Sequence, residues 1–432
     1  MIEVFEQYGF YEERRKILID KKYNDILLTE PFHVKQVQRK GQKHIYYRLD
    51  CIEKEETPEF HFQSSYFIGI DWIVENKLPI YIQPKLNDKS TEINYIGMLL
   101  EALQEPENLK HLDDLVHIDF HKPYISITQK QDLLSPFLIA QFLQILKRIV
   151  RKGLKKSYYT VTENLNARVK GKILVGRNIK ENLVRGRQIQ TICQYQEFGV
   201  NCDENKILKK AYQFSRRIIQ QYEKGINNQP LLQLINYIHP AFESVSDEID
   251  IRKIKTFKSN PLFKEYDQAI KLALLILKRF SYNITKTEQQ QIMTPPFWID
   301  MSKLFELYVF RKLRKIFVEK NEVEYHYTDH SKEIDFLLNC PQQNVQMVVD
   351  TKYKPRYHKE SIDLADYRQI SGYARLKSVY NKLNIDYSQT IDCLIIYPNQ
   401  TDCFKDIDLS RKKCLPSYVH FYKLGIELPE RT

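Results

Sequence analysis

Three side chains in the C-terminal third of the chain have the types and spacing for metal-assisted hydrolysis: Asp335, Asp350 and Lys352. Residues 333–339 (EIDFLLN) read as a strand, 340–344 as a turn and 345–353 as a second strand, so a hairpin is expected. The second strand is apolar at Met347, Val348 and Val349, then abruptly polar over Asp350-Thr-Lys-Tyr-Lys354. Side chains two apart on a strand share a face, so Asp350 and Lys352 project together, as do Glu333 and Asp335. Pairing the strands brings Asp335 towards Asp350. Carboxylate oxygens are the ligands Mg²⁺ prefers, with water in the remaining positions. A metal held there polarises a phosphoryl oxygen and acidifies a bound water. The lysine can orient that water, help deprotonate it, or offset charge building on the phosphorane. A bare Asp-x-Lys at a strand end is ordinarily a surface pair. Here an acid fifteen residues earlier, the apolar run between, and a helix on either side give it weight.

The preceding helix offers Glu306 in Lys303-Leu-Phe-Glu306-Leu-Tyr, among apolar neighbours where a charge needs a reason. Two readings stand: a third carboxylate for the metal, or a surface acid paired with Lys303 or Lys312. The following helix, starting near Asp363 or Asp366, carries Gln369 and Tyr373. These lie four apart on one face, placed to touch a phosphate or a base, or else to serve as surface and core packing.

The elements that must hold these residues can be traced along the 432 residues. Residues 1 to about 130 are mostly β, with alternating β-branched and aromatic runs at 44–50, 59–67 and 78–86 and a short helix near 96–103. Residues 134–154 read as an amphipathic helix whose basic end (Lys147, Arg148, Arg151, Lys152) complements its dipole. A mixed segment, 158–197, precedes helices at 205–224, 230–237 and 264–282. Pro295 and Pro296 mark a boundary, after which Asp300 caps a helix over 302–318 with an apolar stripe of Leu304, Phe305, Tyr308, Leu313 and Phe317. The expectation is an α+β multidomain chain: a β-rich N-terminal domain (1–160), a basic and helical central region (161–290) and a C-terminal α/β domain (291–432).

Composition narrows the setting. With 43% hydrophobic residues, no membrane-length apolar run and no secretory pattern, a soluble cytoplasmic protein is expected. The seven cysteines are odd in number and form no Cys-x-x-Cys, which speaks for reduced thiols. Of the net +11, residues 141–190 account for all, with thirteen Lys and Arg against two Glu. Such a block suits a nucleic acid, an acidic protein face, or a solvated helix and loop. His326, His330 and His358 lack metal-ligand spacing and read as surface histidines. The 29 tyrosines include candidates for base stacking, although most read as strand and core residues. No G-x-x-x-x-G-K-[ST], G-x-S-x-G or H-E-x-x-H occurs, so neither a P-loop, a serine hydrolase nor a zincin is indicated.

Together, Asp335, Asp350-x-Lys352 and the flanking helices resemble the PD-(D/E)xK nuclease superfamily, and Gln369-Ile-Ser-Gly-Tyr373 resembles the Q-x-x-x-Y helix of its RecB-like branch. One departure is Ile334 where that pattern has proline, with Glu333 one further back. Asn166-Ala-Arg-Val-Lys-Gly-Lys-Ile, Gln194-Tyr-Gln-Glu-Phe and Asp203-Glu-Asn205-Lys-Ile-Leu-Lys-Lys are similar to the central region of the McrC family, with the resemblance running over roughly 160–375. It implies a restriction-endonuclease-like C-terminal domain that cuts methylcytosine-containing double-stranded DNA with Mg²⁺, or Mn²⁺ in its place. Asp335, Asp350 and Glu306 would hold the metal; Lys352, Gln369 and Tyr373 would assist. It also implies an N-terminal domain docked on a hexameric McrB-like AAA+ GTPase whose hydrolysis it stimulates. This chain would bind no nucleotide by itself, and self-association of the nuclease domains stays open. Two other readings remain: a non-catalytic activator of such a ring with a vestigial nuclease fold, and a stand-alone Mg²⁺-dependent restriction or repair nuclease.

Overall fold

Residues 59–64 alternate in burial, with Phe60, Phe62 and Ser64 turned inward, the period-two pattern of a strand wetted on one face. In the computed structural model, Glu59–Ser64 joins Ile17–Leu18, Gln42–Ile52 and His33–Arg39 in an antiparallel four-stranded sheet. The structure describes residues 1–6, 17–29, 33–39, 42–53, 57–84, 93–112, 115–128, 134–222, 229–249, 264–283, 292–329, 332–354, 357, 362–400 and 405–430.

Phe67–Val74 is buried on both faces, so it lacks the alternation that marks its neighbours in the sequence. It lies at the centre of a five-stranded sheet in the order Ile2–Phe5, Leu78–Gln83, Phe67–Val74, Phe297–Asp300, Val116–Ile118. All neighbours pair antiparallel except Ile2–Phe5 with Leu78–Gln83. Side chains of both sheets share one core, including Tyr46, Phe60, Phe62, Phe67, Ile80 and Trp298. Tyr46 stacks on Trp298 with ring centroids 4.7 Å apart.

Two compact units result: Met1–Phe137 with Gln291–Thr432, and Leu138–Gln290. This differs from the division expected at 160 and 290. Ile292–Thr294 pairs with Ile125–Ile127, and Phe297–Asp300 is inserted between two N-terminal strands. Pro295 and Pro296 therefore sit between two strands of one unit instead of between domains. The helix Leu134–Lys152 falls mostly in the other unit, and the central region is less purely helical than expected. It contains a long antiparallel ladder, Ser157–Asn166 with Gln190–Gly199, flanked by Lys172–Ile173.

That ladder brings separate motif pieces together. Lys170 reaches Glu197 at 2.9 Å and covers the Tyr195 ring at 3.9 Å. Gly171 has φ +69°, and a Cβ there would lie 2.5 Å from the Gln194 carbonyl oxygen. At the start of the helix Asp203–Tyr222, buried Asn205 donates to the carbonyls of Lys155 (2.9 Å) and Val200 (2.7 Å) and accepts from the Tyr266 hydroxyl at 2.8 Å. Lys152, Lys155 and Arg177 of the basic block are likewise paired, with Glu265, Glu204 and Glu181. Among the described residues no helix is long and apolar enough to cross a membrane.

The C-terminal sheet has six strands in the order Val323–Asp329, Lys332–Cys340, Val345–Thr351, Asp392–Pro398, Phe421–Ile426, Lys413–Cys414. The first three run antiparallel; Val345–Thr351, Asp392–Pro398 and Phe421–Ile426 are mutually parallel. The helix Leu364–Tyr373 covers one face, with Tyr367 and Ile370 in a core that also holds Val348, Cys393 and Ile395. The helix Met301–Ile316 begins directly after Asp300, whose carboxylate accepts from the Lys303 amide at 2.9 Å. Asp300→Ala removes that cap, and we expect it to lower stability by about 1 kcal/mol, read as a thermal midpoint a few degrees lower.

Candidate active site

The hairpin forms where the sequence placed it, as Lys332–Cys340 against Val345–Thr351, with Phe336 opposite Val349 and Cys340 opposite Val345. The ladder stops at Phe336. One step further, the backbone amide and hydroxyl of Thr351 both donate to Asp335 Oδ2 at 2.7 Å. Asp335 therefore ends the strand pairing and sits beside Asp350, whose side chain is almost fully buried.

Burial, then the neighbouring charges of Asp350 and Glu306, push the Asp335 carboxyl well above the usual carboxylate range; the Thr351 hydrogen bonds oppose this only in part. Asp350 is also raised by burial, against the pull of Lys352 and with the repulsion of Asp366 and Glu306 added. Lys352 Nζ lies 2.7 Å from Asp350 Oδ2, an oxygen that makes no aligned hydrogen bond. Burial alone would depress the Lys352 ammonium, but Asp350, Asp335 and Asp366 raise it instead. Beyond Asp350, Lys352 donates to Gln369 Oε1 at 3.1 Å, and Gln369 Nε2 donates to the Tyr373 hydroxyl at 2.9 Å. Asp350, Lys352, Gln369 and Tyr373 thus form one chain of contacts, with the i, i+4 pair on the helix face that meets the lysine.

Glu306 is differently engaged. It is tucked in at 14% exposure, 3.0 Å from Lys303 Nζ and 2.5 Å from His326 Nε2. Burial would raise its carboxyl, yet the His326 hydrogen bond and the Lys303 charge outweigh this and hold it at about 2. Of the two readings of Glu306, the contact with Lys303 is present, although the residue is half-buried instead of lying out on the surface. Lys312 pairs with Glu101 and Asp406 instead.

His326 is not the surface histidine expected. It bridges Glu306 and Glu333, the latter through Nδ1 at 2.8 Å, and adopts φ +56°. A left-handed backbone at a histidine is uncommon and is kept only where surrounding contacts hold it. His330 and His358 lie outside the described residues. Thr351 and Asp366 also belong to the site without having stood out in the sequence as site residues. Asp366 accepts from Lys354 at 2.7 Å and from the Tyr357 hydroxyl, and lies 3.9 Å from Lys352.

Among the described residues, no three His, Cys, Asp or Glu side chains form a ready-made metal cage. Asp335 and Asp350 nevertheless offer two mutually repelling, oxygen-only donors, the chemistry that suits a hard divalent cation completed by water and substrate oxygens. The lysine next to them is a fixed positive charge.

No curated protein matches the chain. It is similar to a chain in the refined half-complex from the tetradecameric assembly of Thermococcus gammatolerans McrB AAA+ hexamers with bound McrC, at 15% identity and a TM-score of 0.34, over 87% of this chain and 80% of that one. A second likeness, to the cryo-EM structure of the Thermococcus gammatolerans McrBC complex, has 17% identity and a TM-score of 0.27 over 75% and 88%. Scores this low do not fix a shared fold. The sequence itself is decisive: residues 67–398, which include the central motifs, the capped helix and the Asp350-Thr-Lys352 strand, match the McrBC 5-methylcytosine restriction system component. This chain belongs to that family.

Proposed function

We propose that this McrBC family member is the McrC-like nuclease subunit: a cytoplasmic, Mg²⁺-dependent endodeoxyribonuclease that cuts methylcytosine-containing DNA together with a McrB-like AAA+ GTPase whose hydrolysis it stimulates. The observation that carries the reading is the pair of adjacent carboxylates, Asp335 half-buried and Asp350 almost fully buried, each raised by its removal from water, with Lys352 at 2.7 Å from the second. A cation relieves exactly that repulsion, in the sense that two anions forced together out of water gain most from a positive charge. Helix, three antiparallel strands, helix and parallel strand follow one another around the site, an order in keeping with a PD-(D/E)xK domain. In this reading Asp335 and Asp350 hold the metal, which when bound supplies Lewis acidity and an acidified water. Thr351 keeps Asp335 aimed, and Lys352, protonated because three carboxylates surround it, stabilises negative charge on the phosphoryl oxygens. Gln369 and Tyr373 hold the lysine in place.

The partner reading places the N-terminal strands against the GTPase ring and leaves the basic block, apart from Lys152, Lys155, Lys170 and Arg177, for DNA or for that ring. The adaptor reading draws on Glu306 being tied to Lys303 and His326, and on no three described His, Cys, Asp or Glu side chains being placed to hold a metal. Cleavage of methylated plasmid by the reconstituted complex separates the two. Lys352→Ala is expected to slow it by about a hundredfold or more while GTP hydrolysis stays stimulated. Stimulated GTP hydrolysis with no cleavage by the unaltered protein would leave the adaptor reading standing.

A further inference from the structure

The strand pairings lapse on both sides of Asp335. On one side the ladder stops at Phe336 opposite Val349, one step short of Asp335 and Asp350. On the other, Val323–Asp329 pairs Tyr325 with Phe336 and Tyr327 with Ile334, and skips His326 and Asp335 between them. Asp335 therefore has Asp350 on one neighbouring strand and His326 on the other, each one strand spacing, about 4.8 Å, away. Opposite residues of an antiparallel pair share a face, so an extended His326 would send its ring to the side of Asp335. Its φ of +56° takes it out of that alternation.

The contacts that hold this backbone meet at Glu306. Its Oε1 is shared between His326 Nε2 at 2.5 Å and Lys303 Nζ at 3.0 Å, with a further hydrogen bond from the Tyr325 hydroxyl. Lys303 is three residues earlier on the same helix, so its contact travels with Glu306. His326 belongs to the sheet and ties the carboxylate to it. The His326 ring is itself fixed: Nδ1 meets Glu333 at 2.8 Å, and His111 packs edge-on with centroids 5.8 Å apart. Glu306 is close enough for its charge to bear on both Asp335 and Asp350, yet the three are not placed to hold one ion together.

We propose that His326 is a positioning residue that keeps Glu306 out of the metal's direct ligands, so that Asp335 and Asp350 alone supply carboxylates. It rests on the nuclease reading above. Mg²⁺ keeps several waters and takes only one or two carboxylates where substrate phosphate must also bind. A third carboxylate would tighten the hold on the ion and fill a position that water or a phosphoryl oxygen needs. His326 thereby gives up metal affinity for an open coordination sphere, and Glu306 acts on the site only as a fixed neighbouring charge.

Calorimetric Mg²⁺ titration of the full chain, with cleavage by the partnered complex in parallel, tests this. Glycine takes φ +56° without strain, so His326→Gly removes the ring and leaves the backbone in place. It should tighten Mg²⁺ binding about fivefold and slow cleavage about tenfold, both through Glu306. Glu306→Gln added to His326→Gly should cancel the tighter binding. His326→Gln, which keeps a donor for Glu306, should restore both parental values. A purely structural role would weaken binding and cleavage together. That result, no change at all, or tighter binding that survives Glu306→Gln would overturn the proposal. Glu306→Gln by itself weakening Mg²⁺ binding as much as Asp335→Asn would overturn it too, since Glu306 would then be a direct ligand. The nuclease reading fails separately: there the Mg²⁺ affinities follow the pattern given, yet the unaltered protein and the partner ring never yield cut DNA.

Discussion

Asp335→Asn should abolish cleavage and, in the absence of metal, raise the melting temperature. The two effects have opposite signs because they have one cause. Folding buries the Asp335 carboxylate beside Asp350 and Glu306 and raises its pKa well above the unfolded value, so the ionised form is penalised in the native state at neutral pH. The amide removes that penalty and keeps an oxygen to accept from the Thr351 amide and hydroxyl. Differential scanning fluorimetry in EDTA should show a rise of a few degrees, the order expected for about 1 kcal/mol in a unit of this size. Cleavage by the partnered complex should fall by about a thousandfold or more, as the loss of a metal ligand implies. Millimolar Mg²⁺ should stabilise the unaltered protein through binding to the native state and leave the variant unmoved. A variant that melts lower in EDTA and still cuts DNA would show that Asp335 is a structural acid.

Gly69→Ala should be the most damaging alanine substitution among the described glycines. Gly69 pairs with Trp298 at φ +151°, and a Cβ there would lie 2.0 Å from the Phe297 carbonyl oxygen and 3.1 Å from the Trp298 Cα. Both obstacles are backbone, which cannot swing aside as a side chain would. The strand Phe297–Asp300 would have to leave its place between Phe67–Val74 and Val116–Ile118, taking Trp298 out of the core. A loss of about 4 kcal/mol or more follows, on the scale of backbone strain combined with core disruption. Denaturant titration followed by Trp fluorescence would register it. The same strand feeds Asp300 and the helix bearing Glu306, so cleavage should fall along with stability. A variant within 1 kcal/mol of the parent would mean that this strand seats differently.

Much of the site is legible before any coordinates. The switch from Met347-Val-Val to Asp350-Thr-Lys is a local signal, because a buried strand that turns polar must deliver those charges to its end. Gln369 and Tyr373 are likewise readable, since helical periodicity alone puts them on one face. His326 carries no such signal: its role depends on a left-handed backbone and on two acids, Glu306 and Glu333, that come from different elements. Thr351 reads as a spacer between Asp350 and Lys352 until the end of the hairpin turns its amide and hydroxyl onto Asp335.

Sequence by itself determined the family, the acid–acid–lysine set, the hairpin that carries it and the cap at Asp300, because each is written in short-range periodicity or in a contiguous motif. Only the tertiary structure decided that Phe297–Asp300 completes an N-terminal sheet, that His326 reaches Glu306, and that Thr351 turns its amide and hydroxyl onto Asp335. Those facts rest on pairings between residues tens to hundreds of positions apart. Such pairings are chosen by the burial of whole faces, and leave no periodic trace in the segments that make them.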